Sequence, residues 1–462
     1  MKFSILFFLV FGSSYFFAQS CKCVDEYDYV VNYYEQNLPG FKDNVSAENQ
    51  AEYDLFKKGL REKALVLCEN KVECFRYLLQ YVEFFKDNHS SIYFNDSVPE
   101  SYWDTIATFE ILGGFEGIKN PILELQNRYI SNDSVYTVVI VEKNTEHYDF
   151  LGIIIDSKTP NWKGGDVKFE LKKKANGKYD LLQYMRNRST HLYQDVEFKD
   201  GVLANNWFNI QLKSKKSYAT DAPNELVFKS LDKETNYISI PTFSGNWTAK
   251  LDSFYKKHDA AIRSKSKLII DVRNNGGGSD DNANPLLKYI YTKPFYTDKV
   301  ELFVTEENIR KSVEWYENNK LDTINFDNVF MQEVLDEIDT MKKTRLNTFI
   351  TRVDNQKIEL DSVLAKPSKV AILMNRNCAS SCESLLFWAK ESDKTILLGE
   401  NSGGYVGYGE IETSTTPNFN YLLGCTMTRY EKQRQFEAEG IPPTFYLKND
   451  KDWVKQAVKL LK

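Results

Sequence analysis

Histidine is scarce in this chain: four in 462 residues, at His89, His147, His191 and His258. Chemistry that depends on imidazole therefore has few places to sit. No histidine stands at ligand spacing to a cysteine pair, which argues against a zinc site and leaves no metal expected. Phosphate-binding signatures are also missing. The run Asn274-Asn275-Gly276-Gly277-Gly278 is followed by no Gly-Lys-Ser or Gly-Lys-Thr, and no six-residue glycine fingerprint occurs. Basic charge is not in excess. Against 65 acidic residues stand 59 lysines and arginines, a net charge of -6, which offers nothing to nucleic acid or to an anionic membrane surface. Past the first twenty residues there is no apolar run of about 18, so no membrane span is expected in the mature chain. Repeats and low-complexity tracts are absent as well. What remains is an ordinary globular composition, 42% hydrophobic and 27% charged, at a length that suits roughly two to four domains.

Residues 1–20 read as an export signal. Lys2 supplies the positive start, a short apolar run follows from Phe3, and Ala18-Gln19-Ser20 places small residues where a signal peptidase cuts. The expected location is therefore periplasmic, cell-surface or secreted. Cys21 follows the cut directly. A lipid anchor there is the lesser alternative, because Ala18 stands where leucine is usual. Export permits disulfides among Cys21, Cys23, Cys68, Cys74, Cys378, Cys382 and Cys425. Cys21 or Cys23 with Cys68 or Cys74 would staple the N-terminal region, and Cys425 is a candidate partner for Cys378 or Cys382. Spacing does not choose the pairs.

Periodicity divides the rest. Residues 21–105 form an N-terminal region whose apolar positions recur at helical spacing over 24–85, ending in the polar turn Lys86-Asp87-Asn88-His89-Ser90-Ser91 and a short strand at 92–94. Residues 106–230 read as a mostly β domain, with the turn Ala175-Asn176-Gly177 between alternating runs. Residues 231–462 alternate strand and helix: strands at 237–240, 267–272, 370–374 and 395–398, helices at 249–262 and 381–390. That alternation argues for an α/β domain around a central sheet. Residues 305–361 look like a polar, largely helical insertion or lid.

Three pieces carry candidate chemistry. In Cys378-Ala379-Ser380-Ser381-Cys382-Glu383 a serine follows a strand and opens a helix, where free N–H groups and the helix dipole stabilise an oxyanion. Taken alone, Ser380 with Glu383 reads more readily as a capping box than as a nucleophile site. Asp271-Val272-Arg273-Asn274-Asn275-Gly276-Gly277-Gly278 follows another strand, and its glycines allow a sharp turn that points an N–H into a cleft. Alone it is a tight turn. His89 lies in a polar loop and is the best-placed base of the four histidines; His258 reads as solvated, and His147 and His191 have no notable polar setting.

Together these pieces resemble the tail-specific (C-terminal processing) and tricorn-type serine peptidases, in the same order along the chain. Asp271 to Gly278 matches the family's Asp-(Leu/Val)-Arg-x-Asn-x-Gly-Gly, and Cys378 to Glu383 its (Thr/Ser)-Ala-Ser-x-x-Glu. Gly399-Glu400-Asn401-Ser402-Gly403-Gly404, Glu439-Gly440-Ile441-Pro442-Pro443 and Asp87-Asn88-His89-Ser90 match its remaining stretches. The resemblance implies a crotonase-like α/β core, no cofactor, and peptide or protein substrates. The processing branch's lysine in a Gly-Lys-Gly context is replaced here by Gly404-Tyr405-Val406-Gly407, and no PDZ module is evident. The chain is thus more similar to the tricorn-type branch, which uses serine, histidine and glutamate. That implies Ser380 as nucleophile, His89 as base and Glu439 as orienting acid, with Glu437 as second choice. The N–H groups of Gly277 and Ser381 form the oxyanion hole in this reading. Asn88 replaces the serine that precedes the histidine in archaeal members. The alternative on the same fold is an inactive protein that binds peptides or apolar ligands.

Overall fold

The computed structural model describes residues 21–95, 125–145, 147–186, 190–204, 206–210, 218–219, 221–323, 326–449 and 451–462. The export signal expected at 1–20 lies outside them, as does part of the expected β region.

Four helices come first: Lys22–Asn37, Pro39–Asn44, Gln50–Leu67 and Lys71–Glu83. Tyr27, Val30 and Tyr34 fall on one face of the first helix and are buried, so that face seals against the others. Tyr34 stacks on Phe85 at 5.7 Å, and Tyr27 meets Tyr81 edge-on at 5.8 Å. Disulfides Cys21–Cys68 and Cys23–Cys74 tie the first helix to the third and fourth.

Nine antiparallel strands then form one sheet. From one edge its order is Thr190–Val196, Tyr179–Tyr184, Val167–Lys173, Phe150–Ser157, Tyr136–Glu142, Arg128–Ser131, Trp207–Asn209, Val202–Leu203 and Phe198–Lys199. Gly177, at φ +81°, turns the chain between two of these strands, as its Asn-Gly signal implies. The sheet and the N-terminal helices share one buried apolar cluster.

A third layer carries the Ser380 turn and the glycine loop. Its six-stranded sheet runs Val227–Ser230, Thr235–Ser239, Lys267–Asp271, Lys369–Met374, Thr395–Gly399 and Phe445–Tyr446, parallel after the first pair. The central strands are almost wholly buried, as continuous apolar runs in a parallel sheet should be. Helices Thr248–Ile262 and Ser381–Lys390 contribute to the apolar cluster on one face; helix Trp453–Leu460 contributes to another. Because Asp271 pairs with Leu373, the loops leaving these two neighbouring strands emerge side by side at the carboxyl ends, where α/β sheets bind ligands.

A five-stranded antiparallel sheet completes the fold around Tyr421–Tyr430. That long strand pairs with Tyr408–Thr415, Val300–Val304 and Ser91–Phe94. The last pairing brings the His89 turn from the N-terminal region onto this sheet. Within 305–361 the chain forms helices Glu306–Asn319 and Asn328–Lys343, then strand Thr348–Val353 beside Val300–Val304.

Candidate active site

Ser380 sits at the junction of strand Lys369–Met374 and helix Ser381–Lys390, with φ +56° and ψ -125°. A plain N-cap has extended backbone, whereas this is a sparsely populated region for any residue with a Cβ. Several contacts hold it. Disulfide Cys378–Cys382 brackets the serine. The Ala379 N–H donates to Asn275 O at 3.0 Å, and the Gly403 N–H to Cys378 O at 2.7 Å. The Ser380 N–H donates to Glu383 Oε2 at 3.0 Å, so the capping interaction expected of Glu383 is present alongside the strained backbone.

Glu383 does more than cap. Fully buried, it accepts from Ser402 Oγ at 2.5 Å and from the Gly404 and Tyr405 N–H groups at 2.8 Å. Burial still raises its pKa, opposed by those donors. One carboxyl thus knots the serine turn to residues 402–405.

The glycine loop packs directly on this turn. Gly277 has φ +89°, and a Cβ there would lie 2.6 Å from Ala379 O and 2.8 Å from the Ser380 Cβ. Its N–H is already taken, donating to Asn275 Oδ1 at 2.9 Å, so the expected oxyanion role of Gly277 needs correction. Asn275 is itself fully buried and anchored through Nδ2 to Ile240 O at 3.0 Å. Among the described residues the Gly278 and Ser381 N–H groups have no hydrogen-bond partner, while Ser381 Oγ donates to Gly278 O at 3.1 Å.

His89 arrives from the other end of the chain. Asp87, 4% exposed, accepts the His89 N–H at 3.0 Å and the Ser90 N–H at 3.2 Å on Oδ1. Its Oδ2 accepts Ser90 Oγ and Thr426 Oγ1, each at 2.7 Å. Asn88 Nδ2 donates to Gly404 O at 2.8 Å, and the His89 ring meets Tyr405 edge-on at 5.5 Å. Ser380 and His89 are therefore both tied to Gly404-Tyr405, the first through Glu383. His89 Nδ1 is buried and makes no hydrogen bond of good geometry. Burial lowers the His89 pKa, opposed by Asp87 and by the Tyr408 backbone.

The two candidate acids separate. Glu437 lies under the His89 turn: Oε1 accepts the Asn88 N–H at 2.9 Å, and Oε2 those of Val406 and Gly407 at 2.9 and 2.5 Å. Burial first, then Asp87, pushes its pKa up to about 8. Glu439 is exposed, and its carbonyl oxygen, rather than its carboxylate, is what accepts from Arg376 at 2.8 Å and Asn401 at 3.0 Å. The carboxyl group that supports the His89 turn is thus that of Glu437 rather than the first-choice Glu439. Ala438, at φ +62°, turns the chain between the two.

Other expectations also change. Cys425 is free and buried, because Cys378 and Cys382 pair with each other. His147 has a polar setting after all, 2.8 Å from Glu73 through Nε2. His258 is stacked on Phe228 at 4.7 Å rather than simply solvated.

Ser380 thus lies on a strained turn at a helix start, packed on a glycine loop and beside two N–H groups that have no partner among the described residues. Residues 234–447 match the model of peptidase family S41, and that segment of the chain carries a serine-type peptidase domain, whose substrates are peptides or proteins. No curated protein matches the chain. Among solved structures, mature CPAF complexed with lactacystin aligns with 96% of this chain and 97% of its own, at 12% identity and TM-score 0.51. The photosystem II D1 C-terminal processing protease aligns with 94% of each chain at 11% identity and TM-score 0.36. The tricorn protease aligns with 95% of this chain and 36% of its own, at 11% identity and TM-score 0.36.

Proposed function

We propose that this peptidase works by acyl transfer from Ser380, with His89 as the base. Ser380 Oγ attacks the peptide carbonyl carbon while His89 takes the hydroxyl proton. With Nδ1 buried, Nε2 is the nitrogen left for that task. The tetrahedral oxyanion is met by the N–H groups of Ser381 and Gly278. Collapse breaks the C–N bond, and His89 returns the proton to the leaving amine. Water then attacks the acyl-enzyme by the same route. A lowered His89 pKa keeps the ring neutral and able to accept a proton near pH 7. Glu437 holds the His89 loop through the Asn88 N–H rather than bonding the ring.

The observation that carries this reading is Ser380 at φ +56°, against Gly277 and beside the unpartnered Ser381 N–H. A fluorophosphonate probe tests it. Wild type should label at Ser380, and Ser380→Ala should neither label nor hydrolyse peptides while keeping its fold. His89→Ala should lose turnover as completely. Wild type that folds but does not label is the binding-protein outcome and ends the proposal.

Export is part of the reading. Three disulfides among the described residues suit an oxidising compartment, and no described helix is long and apolar enough to cross a membrane. Mass spectrometry of the mature chain should find Cys21 at its N-terminus, and an intact residue 1–20 segment would count against export.

A further inference from the structure

Two carboxyl groups, that of the buried Asp87 and that of the half-buried Glu437, flank the His89 turn, and they are held differently. Among the described residues, every donor on Glu437 is a main-chain N–H. Asp87 joins two separate parts of the chain: the His89 and Ser90 N–H groups on one oxygen, and the Ser90 and Thr426 hydroxyls on the other. Thr426 is fully buried within strand Tyr421–Tyr430. A neutral asparagine could accept the same two N–H groups, and the hydroxyls could turn to suit its amide. The geometry alone therefore needs no charge, and an ionised carboxyl is costly to bury.

We propose that Asp87 is a positioning residue for the reaction: it fastens the His89 turn to the Tyr421–Tyr430 strand and supplies the negative charge against which the imidazole takes up the serine proton. This rests on His89 being the base. Glu437 cannot fill that electrostatic role fully near neutrality, since its pKa of about 8 leaves it mostly protonated there, and Asp87 is one cause of that rise. Asp87 is also the side chain that favours the protonated form of His89 against the effect of burial. Among the described residues, the other ionisable groups that act on the cluster include Glu83 at the end of helix Lys71–Glu83, Glu437, Tyr34, Cys425, Tyr405 and Tyr408, with Asp43 beyond Tyr408. None of these is a cation.

The test follows the His89 titration by NMR in protein labelled with 13C at the histidine rings, with His89→Ala giving the assignment. Asp87→Asn should move the midpoint down, on the order of one pH unit. The acid limb of kcat/KM should follow it, and kcat near neutrality should fall while KM holds. Asp87→Glu should restore the midpoint. Should Asp87→Asn not fold, Thr426→Val removes one donor from the same carboxylate, and the less neutralised charge should raise the midpoint. A His89 midpoint unmoved in the folded variants would leave Asp87 as a structural joint only and overturn the proposal. A midpoint that moves in a protein without turnover or probe labelling would instead sink the peptidase mechanism and leave the Asp87–His89 coupling standing.

Discussion

Ser380 holds a backbone conformation that costs about 1–3 kcal/mol for a residue with a Cβ. Its neighbours offset that cost, and Gly277 is the least replaceable of them. Gly277→Ala would drive a methyl group against Ala379 O and the Ser380 Cβ, at a φ of +89° that alanine resists. Steady-state kinetics should show kcat reduced about a hundredfold, the scale of a displacement near 1 Å at a reacting group. Circular dichroism should still report a folded chain. Glu437 gives a pH signature. Its folded-state pKa of about 8 lies above the ordinary glutamate value near 4.5, so the folded protein binds this proton more tightly than the unfolded chain. The resulting stabilisation is fully present below about pH 4.5 and is lost as pH rises through about 8. Glu437→Gln has no such proton. Tm measured from pH 5 to 9 should fall more steeply for wild type than for the variant; parallel curves would contradict the assignment. Sequence could not choose between Glu437 and Glu439, because the positive φ at Ala438 that sends them apart has no residue signal such as glycine or asparagine.

At the level of elements, the three disulfides do different work. The Cys23–Cys74 link closes a separation of 51 residues and should contribute about 4 kcal/mol by restricting the unfolded chain. Cys378–Cys382 closes only 4 residues, for which the same relation gives about 2 kcal/mol. Replacing Cys23 and Cys74 together by alanine should lower Tm markedly with little effect on kcat. Replacing Cys378 and Cys382 should do the reverse, since that bond brackets Ser380. Calorimetry and initial rates on the two double variants separate these outcomes. Strands and helices of the α/β layer were legible because continuous apolar runs such as 267–271 and 370–374 have a single reading between turn signals. Cysteine pairing was not, because Cys21 and Cys23 lie two residues apart, and only the packing of three helices decides which faces Cys68. The Asn275 to Gly277 hydrogen bond was equally hidden. It depends on a side chain folding back on its own loop, and it is why the proposed mechanism takes Gly278 rather than Gly277 as an oxyanion donor.

Across the whole molecule, the matched segment 234–447 does not contain the proposed base. His89 reaches the serine layer through strand Ser91–Phe94 on Tyr421–Tyr430, through Asn88 on Gly404, and through Asp87 on Thr426. A fragment beginning at residue 221 should therefore be unreactive toward a fluorophosphonate, and a gel-based labelling assay would show it. Labelling of that fragment at the wild-type rate would mean that Ser380 does not need His89. Motif order was enough to suggest this long-range meeting. Its anchoring points were not visible, since none of Gly404, Thr426 or the Asn88 main chain carries a chemical signal of its own.

The bond from the Asn88 main chain to Glu437 joins residues 349 positions apart. A ribosome making this protein finishes the histidine turn early and the supporting glutamate late. Under the proposed mechanism no partly made chain assembles the complete centre, so a growing polypeptide should cut neither itself nor its neighbours until synthesis has passed that glutamate.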